Sequence, residues 1–288
     1  MWHIILILIL YFIPLSIIMA TTSQQVVPYT KSSHLLTEST KVRTGGLQKK
    51  GSGLQKKGSN NARKPNKKHK YQRIDIDKYP NDKVITLNNN KRGDSMIKKW
   101  FPRTNKHKYL QIVKESIYSI THAADAELLS IDIKKRVRNA HKLTITDATA
   151  NVGGNTINFA KHFKRVHAVE INDLTCAALK NNIRVYGLDK KVSVHCASYT
   201  DIQNVLTQDV LFMDPPWGGL DYKSKSKLML FLGDMPIYDI INNITKTPLL
   251  TVIKIPNNFD VDLFKQKHTH RHMDVKQYSR YKMIFITY

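Results

Sequence analysis

From about position 96 to the last residue, the apolar positions alternate between two rhythms. At residues 122–138 they fall at helical spacing, with Ala124, Leu128, Leu129, Ile131 and Val137 able to share one side. A β-branched run at 143–147 predicts a strand, and a Gly-containing turn leads into a helix over 155–162. Strand-like runs follow at 165–171, 192–196, 209–213 and 249–255, with a helix over 174–186 that Gly187 should end. Two last strands, 273–278 and 282–287, are joined through Ser279-Arg280. Strands alternating with helices predict an α/β fold: a doubly wound, mostly parallel seven-stranded sheet with both faces covered, closed by an antiparallel hairpin. In such sheets ligands sit beyond the carboxyl ends of the strands. The residues just after each strand therefore carry the functional argument.

Before position 96 these rhythms are absent, and composition takes over. The 288 residues hold 46 Lys+Arg against 22 Asp+Glu, a formal charge of +24. Between Ser39 and Arg73 there are 12 basic residues and no acid. The same stretch is rich in Gly, Ser, Asn and Gln, and Gly46-Leu47-Gln48-Lys49-Lys50-Gly51-Ser52 recurs at once as Gly53 to Ser59. It has too little apolar surface to offset its ordering entropy, so residues 19–95 are expected to be a mostly disordered basic arm. Residues 41–73 of it would contact nucleic-acid phosphates. Residues 1–18 form an apolar leader broken by Pro14 and Ser16. It is short for a membrane span, which needs ~20 apolar residues. It has the length of a signal-peptide core but lacks the basic flank. A true start at Met19 is the alternative. No stable membrane partner is expected, and an intracellular protein, nuclear or cytoplasmic, or a viral one from an AT-rich genome, fits the Lys-rich composition. Two cysteines exclude a disulfide scaffold, and Cys176 and Cys196 read as buried thiols.

Three strand ends stand out. After the first comes Asp147-Ala148-Thr149-Ala150-Asn151-Val152-Gly153-Gly154-Asn155-Thr156, whose small residues let a ligand approach the backbone at a helix start. After the second comes Glu170, followed by Ile171 and Asn172; a carboxylate at this distance can accept both hydroxyls of a ribose. No Gly-x-Gly-x-x-Gly pattern precedes it. After the fourth comes Asp214-Pro215-Pro216-Trp217-Gly218-Gly219. Prolines hold that backbone extended and leave its carbonyls without local donors. Acceptors beside a flat indole suit an amine on a planar ring.

In this order the motifs resemble the trimethylguanosine synthase family, the cap guanine-N2 methyltransferases, which are class I S-adenosylmethionine-dependent enzymes. The family's Asp-Ala-x-x-Gly-Val-Gly-Gly-Asn-Thr is matched by Asp147 to Thr156. Its Asn-Asn-Ala-x-Val-Tyr-Gly is matched by Asn181 to Gly187, and its Ser-Pro-Pro-Trp-Gly-Gly-x-Asp-Tyr by Asp214 to Tyr222. Tyr118-Ser119-Ile120-Thr121 is similar to its aromatic-Ser-Val-Thr segment, and Ile255-Pro256-Asn257-Asn258 sits where it has Leu-Pro-Arg-Asn. The resemblance spans roughly 96–288, the expected catalytic domain. The pattern is broken at four places: Asn151 replaces a glycine, His122-Ala123 a Pro-Glu, Ala197-Ser198 a Gly-Asp, and Asp214 a serine.

The resemblance implies S-adenosylmethionine as donor and no metal. The donor would lie against Thr121, Asp147, Ala148, Thr149, Gly153, Gly154, Asn155, Thr156, Glu170, Ile171, Asn172 and Ser198, with Asp201 as an alternative adenine partner. Asp214 and the Pro215 carbonyl would aim the guanine N2 amine, with Trp217, Ser119, Pro216 and Tyr222 holding the base. Lys98, Lys99, Arg103 and Lys223 are candidates for cap phosphates. The expected partner is RNA, carrying a 7-methylguanosine cap. Asp214 keeps open a guanine-N2 or adenine-N6 enzyme acting on uncapped RNA or DNA, and a basic RNA-binding module on a degenerate fold is the non-enzyme alternative. His268-Thr269-His270-Arg271-His272 alternates like a strand face but has no carboxylate or cysteine beside it to complete a metal site.

Overall fold

A computed structural model of the chain describes residues 84–86, 97–269 and 272–288. The apolar leader and the basic segment 41–73, with its repeat, lie outside the described residues. The main sheet has seven strands: β3 (Thr144–Asp147), β4 (Arg165–Glu170), β5 (Val192–Cys196), β6 (Val210–Met213), β9 (Leu250–Ile255), β10 (His272–Gln277) and β11 (Lys282–Thr287). Their spatial order is β10-β11-β9-β6-β3-β4-β5. Pairings from β5 through β9 are parallel, and β11 runs antiparallel to both β9 and β10. The doubly wound prediction holds, with one refinement. β11 inserts between β9 and β10, so β10 takes the outer edge.

The burial patterns follow from these places. Central β6 and β9 are buried at every position, while edge strands β5 and β10 are only half covered. Successive residues point to opposite faces. Phe212, Val252 and Phe285 therefore join one apolar core, and Leu211, Ile253 and Ile284 join the other. The first core is covered by α1 (Ala123–Arg136), α2 (Gly154–His162) and α3 (Asp173–Tyr186). The second is covered by α5 (Ile237–Asn242); α6 (Val261–Lys267) follows β9, with Phe264 in the same core. A short α4 spans Tyr199–Ile202.

Several expectations need correction. The buried face of α1 is Ala126, Leu129, Ser130 and Ile133, and Leu128 is 60% exposed. The stripe runs through a serine because Ser130 Oγ donates to the Ala126 carbonyl at 2.7 Å and needs no outside partner. Cys176 and Cys196 are not thiols; they form a disulfide between α3 and the end of β5. Within the stretch read as an arm, β1 (Val84–Thr86) pairs antiparallel with β2 (Gln111–Val113). A small hairpin, β7 (Phe231–Leu232) and β8 (Met235–Pro236), was also missed.

The Asn-Asn-x-x-Val-Tyr segment of α3 explains how β2 is held. Asn182 Oδ1 accepts from the Gln111 N–H, and its Nδ2 donates to the carbonyls of Gln111 and Val152, all at 2.8 Å. Asn181 Nδ2 donates to the Tyr109 carbonyl, and the Tyr186 hydroxyl to the Pro102 carbonyl. These side chains clamp residues 102–111 onto the domain and onto the turn after β3.

Candidate active site

The carboxyl ends of β3, β4, β5 and β6 open into one cavity of about 790 Å³. The chain crosses from one side of β3 to the other between β5 and β6, so the cavity sits at the switch point of the sheet. One half is built by the turn from β3 into α2. Asn151 there has φ 48° and Gly153 has φ 101°. Asn adopts the left-handed conformation more readily than most residues, which accounts for its replacing a glycine. Gly154 permits a close approach: a Cβ there would lie 3.3 Å from both Ile120 Cγ2 and the Thr121 carbonyl oxygen.

Asp147 lies beneath this turn and does not line the cavity. Its Oδ2 accepts from Thr156 Oγ1 at 2.6 Å, and its Oδ1 is buried without a partner. Burial pushes its pKa up to about 7, and the charges of Asp214 and Glu170 push the same way. Gly153 and Thr156 also stand behind the cavity wall. Glu170 lines the cavity, with Oε2 accepting from the Asn151 N–H and Oε1 from the Asn172 N–H, both at 2.9 Å. Burial raises its pKa, opposed by those amides. Asn172 itself caps α3, its Oδ1 accepting from the Thr175 N–H, and is not in the wall. Ser198 is in the wall, bonded to Thr200 Oγ1 at 2.7 Å, while Asp201 is exposed on α4 and outside it. Ile171 lines the wall and is 68% exposed.

These residues fit S-adenosylmethionine. Asn155 Oδ1 is a buried acceptor without a partner at the cavity wall, open to an ammonium or hydroxyl. Each Glu170 oxygen keeps a further lone pair for a ribose hydroxyl. Ile171 offers an apolar surface to a purine, and Ala148, Thr149 and Gly154 leave room at the backbone. Among the described residues no group of three His, Cys, Asp or Glu side chains is placed to hold a metal, and His270 lies outside them.

The other half of the cavity is the segment after β6. The Asp214 N–H donates to Thr149 Oγ1 at 2.8 Å, tying this segment to the turn after β3. Asp214, Pro215, Pro216, Trp217 and Tyr222 all line the cavity, joined by Ser119, while Thr121 lines it beside Gly154 on the donor half. Gly218 and Gly219, at φ 91° and 74°, turn the chain after the indole. The Trp217 ring meets Tyr222 edge to face at 5.3 Å, and its Nε1 is buried with no partner.

A residue the motifs did not include stands at the centre. Lys254, near the end of β9, places Nζ 2.6 Å from Asp214 Oδ2 and 3.0 Å from Thr121 Oγ1. The signal was present in the sequence, as a lone cation inside the run at 249–255, where an unpaired charge is costly. Burial raises the pKa of Asp214, and the Lys254 charge and hydrogen bond oppose the shift. At the rim, Arg280, Lys223 and Tyr281 join the wall, whereas Lys98, Lys99 and Arg103 do not. His122, also in the wall, has its pKa lowered by burial and then by the charges of Lys99 and Arg280, with Asp125 opposing.

The RNA cap guanine-N2 methyltransferase family model matches residues 142–285. The chain is 34% identical over 139 residues to an uncharacterized protein of Acanthamoeba polyphaga mimivirus, covering 46% of this chain and 53% of that one. It is 30% identical over 155 residues to trimethylguanosine synthase of Schizosaccharomyces pombe, covering 51% and 63%. It is 27% identical over 162 residues to trimethylguanosine synthase of Saccharomyces cerevisiae, covering 53% and 50%. The chain thus spans between half and two thirds of the length of these relatives. The family match extends over half of the sequence, from the strand that carries Asp147 to the one that closes the sheet, and the chain belongs to the RNA cap guanine-N2 methyltransferase family.

Proposed function

We propose that the protein methylates the exocyclic N2 amine of guanine, the guanine being the 7-methylguanosine of an RNA cap. The observation that carries this reading is the Asp214-Pro215-Pro216-Trp217 segment in one cavity with Glu170 and the turn after β3, linked by the Asp214-to-Thr149 hydrogen bond. When bound, S-adenosylmethionine supplies an electrophilic methyl group on a sulfonium. Thr149, Gly154, Asn155, Glu170, Ile171 and Ser198 hold it. Glu170 places a carboxylate on the donor side of the sheet, which favours a cation.

The acceptor amine is a poor nucleophile because its lone pair is delocalised into the purine ring. Hydrogen bonds from that amine to Asp214 and the Pro215 carbonyl draw its hydrogens out of the ring plane and orient the lone pair. Positioning of this kind can be worth ~7–11 kcal/mol of a barrier. The proton that nitrogen sheds passes to Asp214 or to water. A 7-methylguanine ring is cationic, so stacking on Trp217 gains a cation–π term of ~0.5–2 kcal/mol. Arg280 and Lys223 at the mouth meet the cap phosphates.

Asp214 in place of the family's serine favours one second reading, an amino-methyltransferase on uncapped RNA. One assay separates them: labelled donor with capped and uncapped oligonucleotides, followed by digestion and nucleoside analysis. N2-methylated cap guanine is the expected product. Label confined to internal guanine N2 or adenine N6 supports the second reading, and donor binding with no transfer supports a degenerate fold.

A further inference from the structure

Lys254 is the one charged residue of β9, and its side chain is 11% exposed against 13% for Asp214. Besides Asp214 Oδ2 and Thr121 Oγ1, its Nζ lies 5.6 Å from the centre of the Trp217 ring and 5.3 Å from that of Tyr281. One ammonium thus touches the acceptor segment, the indole and the donor side. Thr121 belongs to the donor side twice over, since it abuts Gly154 and its Oγ1 accepts from Asn155 Nδ2 at 3.3 Å. The second oxygen of Asp214, Oδ1, accepts no hydrogen bond among the described residues.

We propose that Lys254 is the positioning residue of the transfer: it holds Asp214 as a carboxylate and occupies Oδ2, so that Oδ1 is the oxygen offered to the acceptor amine. This rests on the reading that Asp214 faces that amine. The charged and titratable groups around Asp214 leave Lys254 as its counter-ion. Asp147 on β3 is an acid whose charge opposes that of Asp214, and Tyr281 beside β11 is pushed up to about 12 by burial, helped by Asp125 and Asp214. Arg280 is paired with Asp125 at 3.3 Å, and His122 has its pKa lowered by burial and by surrounding cations. Without Lys254, burial acts unopposed and Asp214 takes up a proton at higher pH. A protonated Asp214 has lost its charge and commits one oxygen to an O–H, so it accepts from the amine more weakly and can no longer take up its proton.

The test uses the full chain with Lys254→Met, Lys254→Arg, and Lys254→Met combined with Asp214→Ser. Donor affinity is measured by calorimetry, and kcat for capped RNA is followed from pH 5.5 to 9. In Lys254→Met, kcat should fall about 100-fold, as for loss of a preorganised electrostatic contact, while donor affinity stays within about three-fold. The acid limb of its kcat profile should move up by about one pH unit or more. Lys254→Arg should keep the limb in place. The double variant should regain about ten-fold over Lys254→Met, because a neutral serine needs no counter-ion. Unchanged kcat and acid limb in Lys254→Met, or an equal loss of donor affinity and kcat with no limb shift, overturns the proposal alone. A wild type that binds donor but methylates no guanine overturns the acceptor reading and this proposal with it.

Discussion

At the scale of single residues, the site holds carboxylates whose burial works against folding. Asp147 is fully buried, has one oxygen without a partner, and titrates near 7. Its folded pKa lies above the unfolded value of ~3.9. Stability from this group is therefore complete below pH 4 and is lost as pH rises through 7, at up to about 1.4 kcal/mol per unit. Asp147→Asn cannot ionise. Thermal melts should show its midpoint falling less than wild type between pH 5 and 8, and calorimetry should show weaker donor binding at pH 8. A variant that tracks the wild-type melting profile would mean that Asp147 is not the titrating group. Trp217 gives the complementary prediction. Trp217→Ala removes the stacking surface but no donor contact, so cap turnover should drop by about 100-fold with donor affinity within three-fold, since base–aromatic stacking is worth ~1–3 kcal/mol. Unchanged discrimination between capped and uncapped RNA would exclude the indole as the base platform.

At the scale of elements, the motif in α3 and the disulfide act on the frame. Asn182 satisfies three backbone groups at once, two on Gln111 and one on Val152. Asn182→Ala leaves buried donors and acceptors unpaired at ~1–3 kcal/mol each. Urea unfolding should show a loss of about 3 kcal/mol or more, although Asn182 touches neither predicted ligand. The disulfide closes a loop of sequence separation 20 between α3 and the end of β5. Reduction should cost about 3 kcal/mol by the loop-entropy relation, read as a lower urea midpoint in dithiothreitol; an unchanged midpoint would show that the bond adds no stability.

Elements of this scale also show what was legible in the sequence. All seven strands of the main sheet were read to within a residue at each end: β6, β9 and β11 are dense apolar runs, β3 is β-branched, and β4, β5 and β10 alternate apolar with polar residues. The turn after β3 and the segment after β6 were read because Gly, Pro and Trp are constrained by backbone chemistry. The face of α1 was misread because a self-bonded serine looks polar in sequence yet packs as a small apolar group. The disulfide escaped notice because pairing depends on strand order, which places β5 beside α3. Lys254 escaped because its partner lies 40 residues away in the chain.

At the scale of the whole molecule, the insertion of β11 between β9 and β10 has a consequence for biosynthesis. During translation β11 leaves the ribosome after both of its neighbours. Until then β9, which carries Lys254, has an unpaired margin and its apolar residues lack half of their cover. The sheet cannot nucleate outward from its first strands and be finished vectorially; it must wait for its penultimate position to be filled. Nascent chains stalled before Lys282 should be cut by protease throughout β9, and chains extended past Thr287 and clear of the exit tunnel should resist. Assembly of the Asp214–Lys254 pair is thus timed to the arrival of a strand that contributes no residue to it.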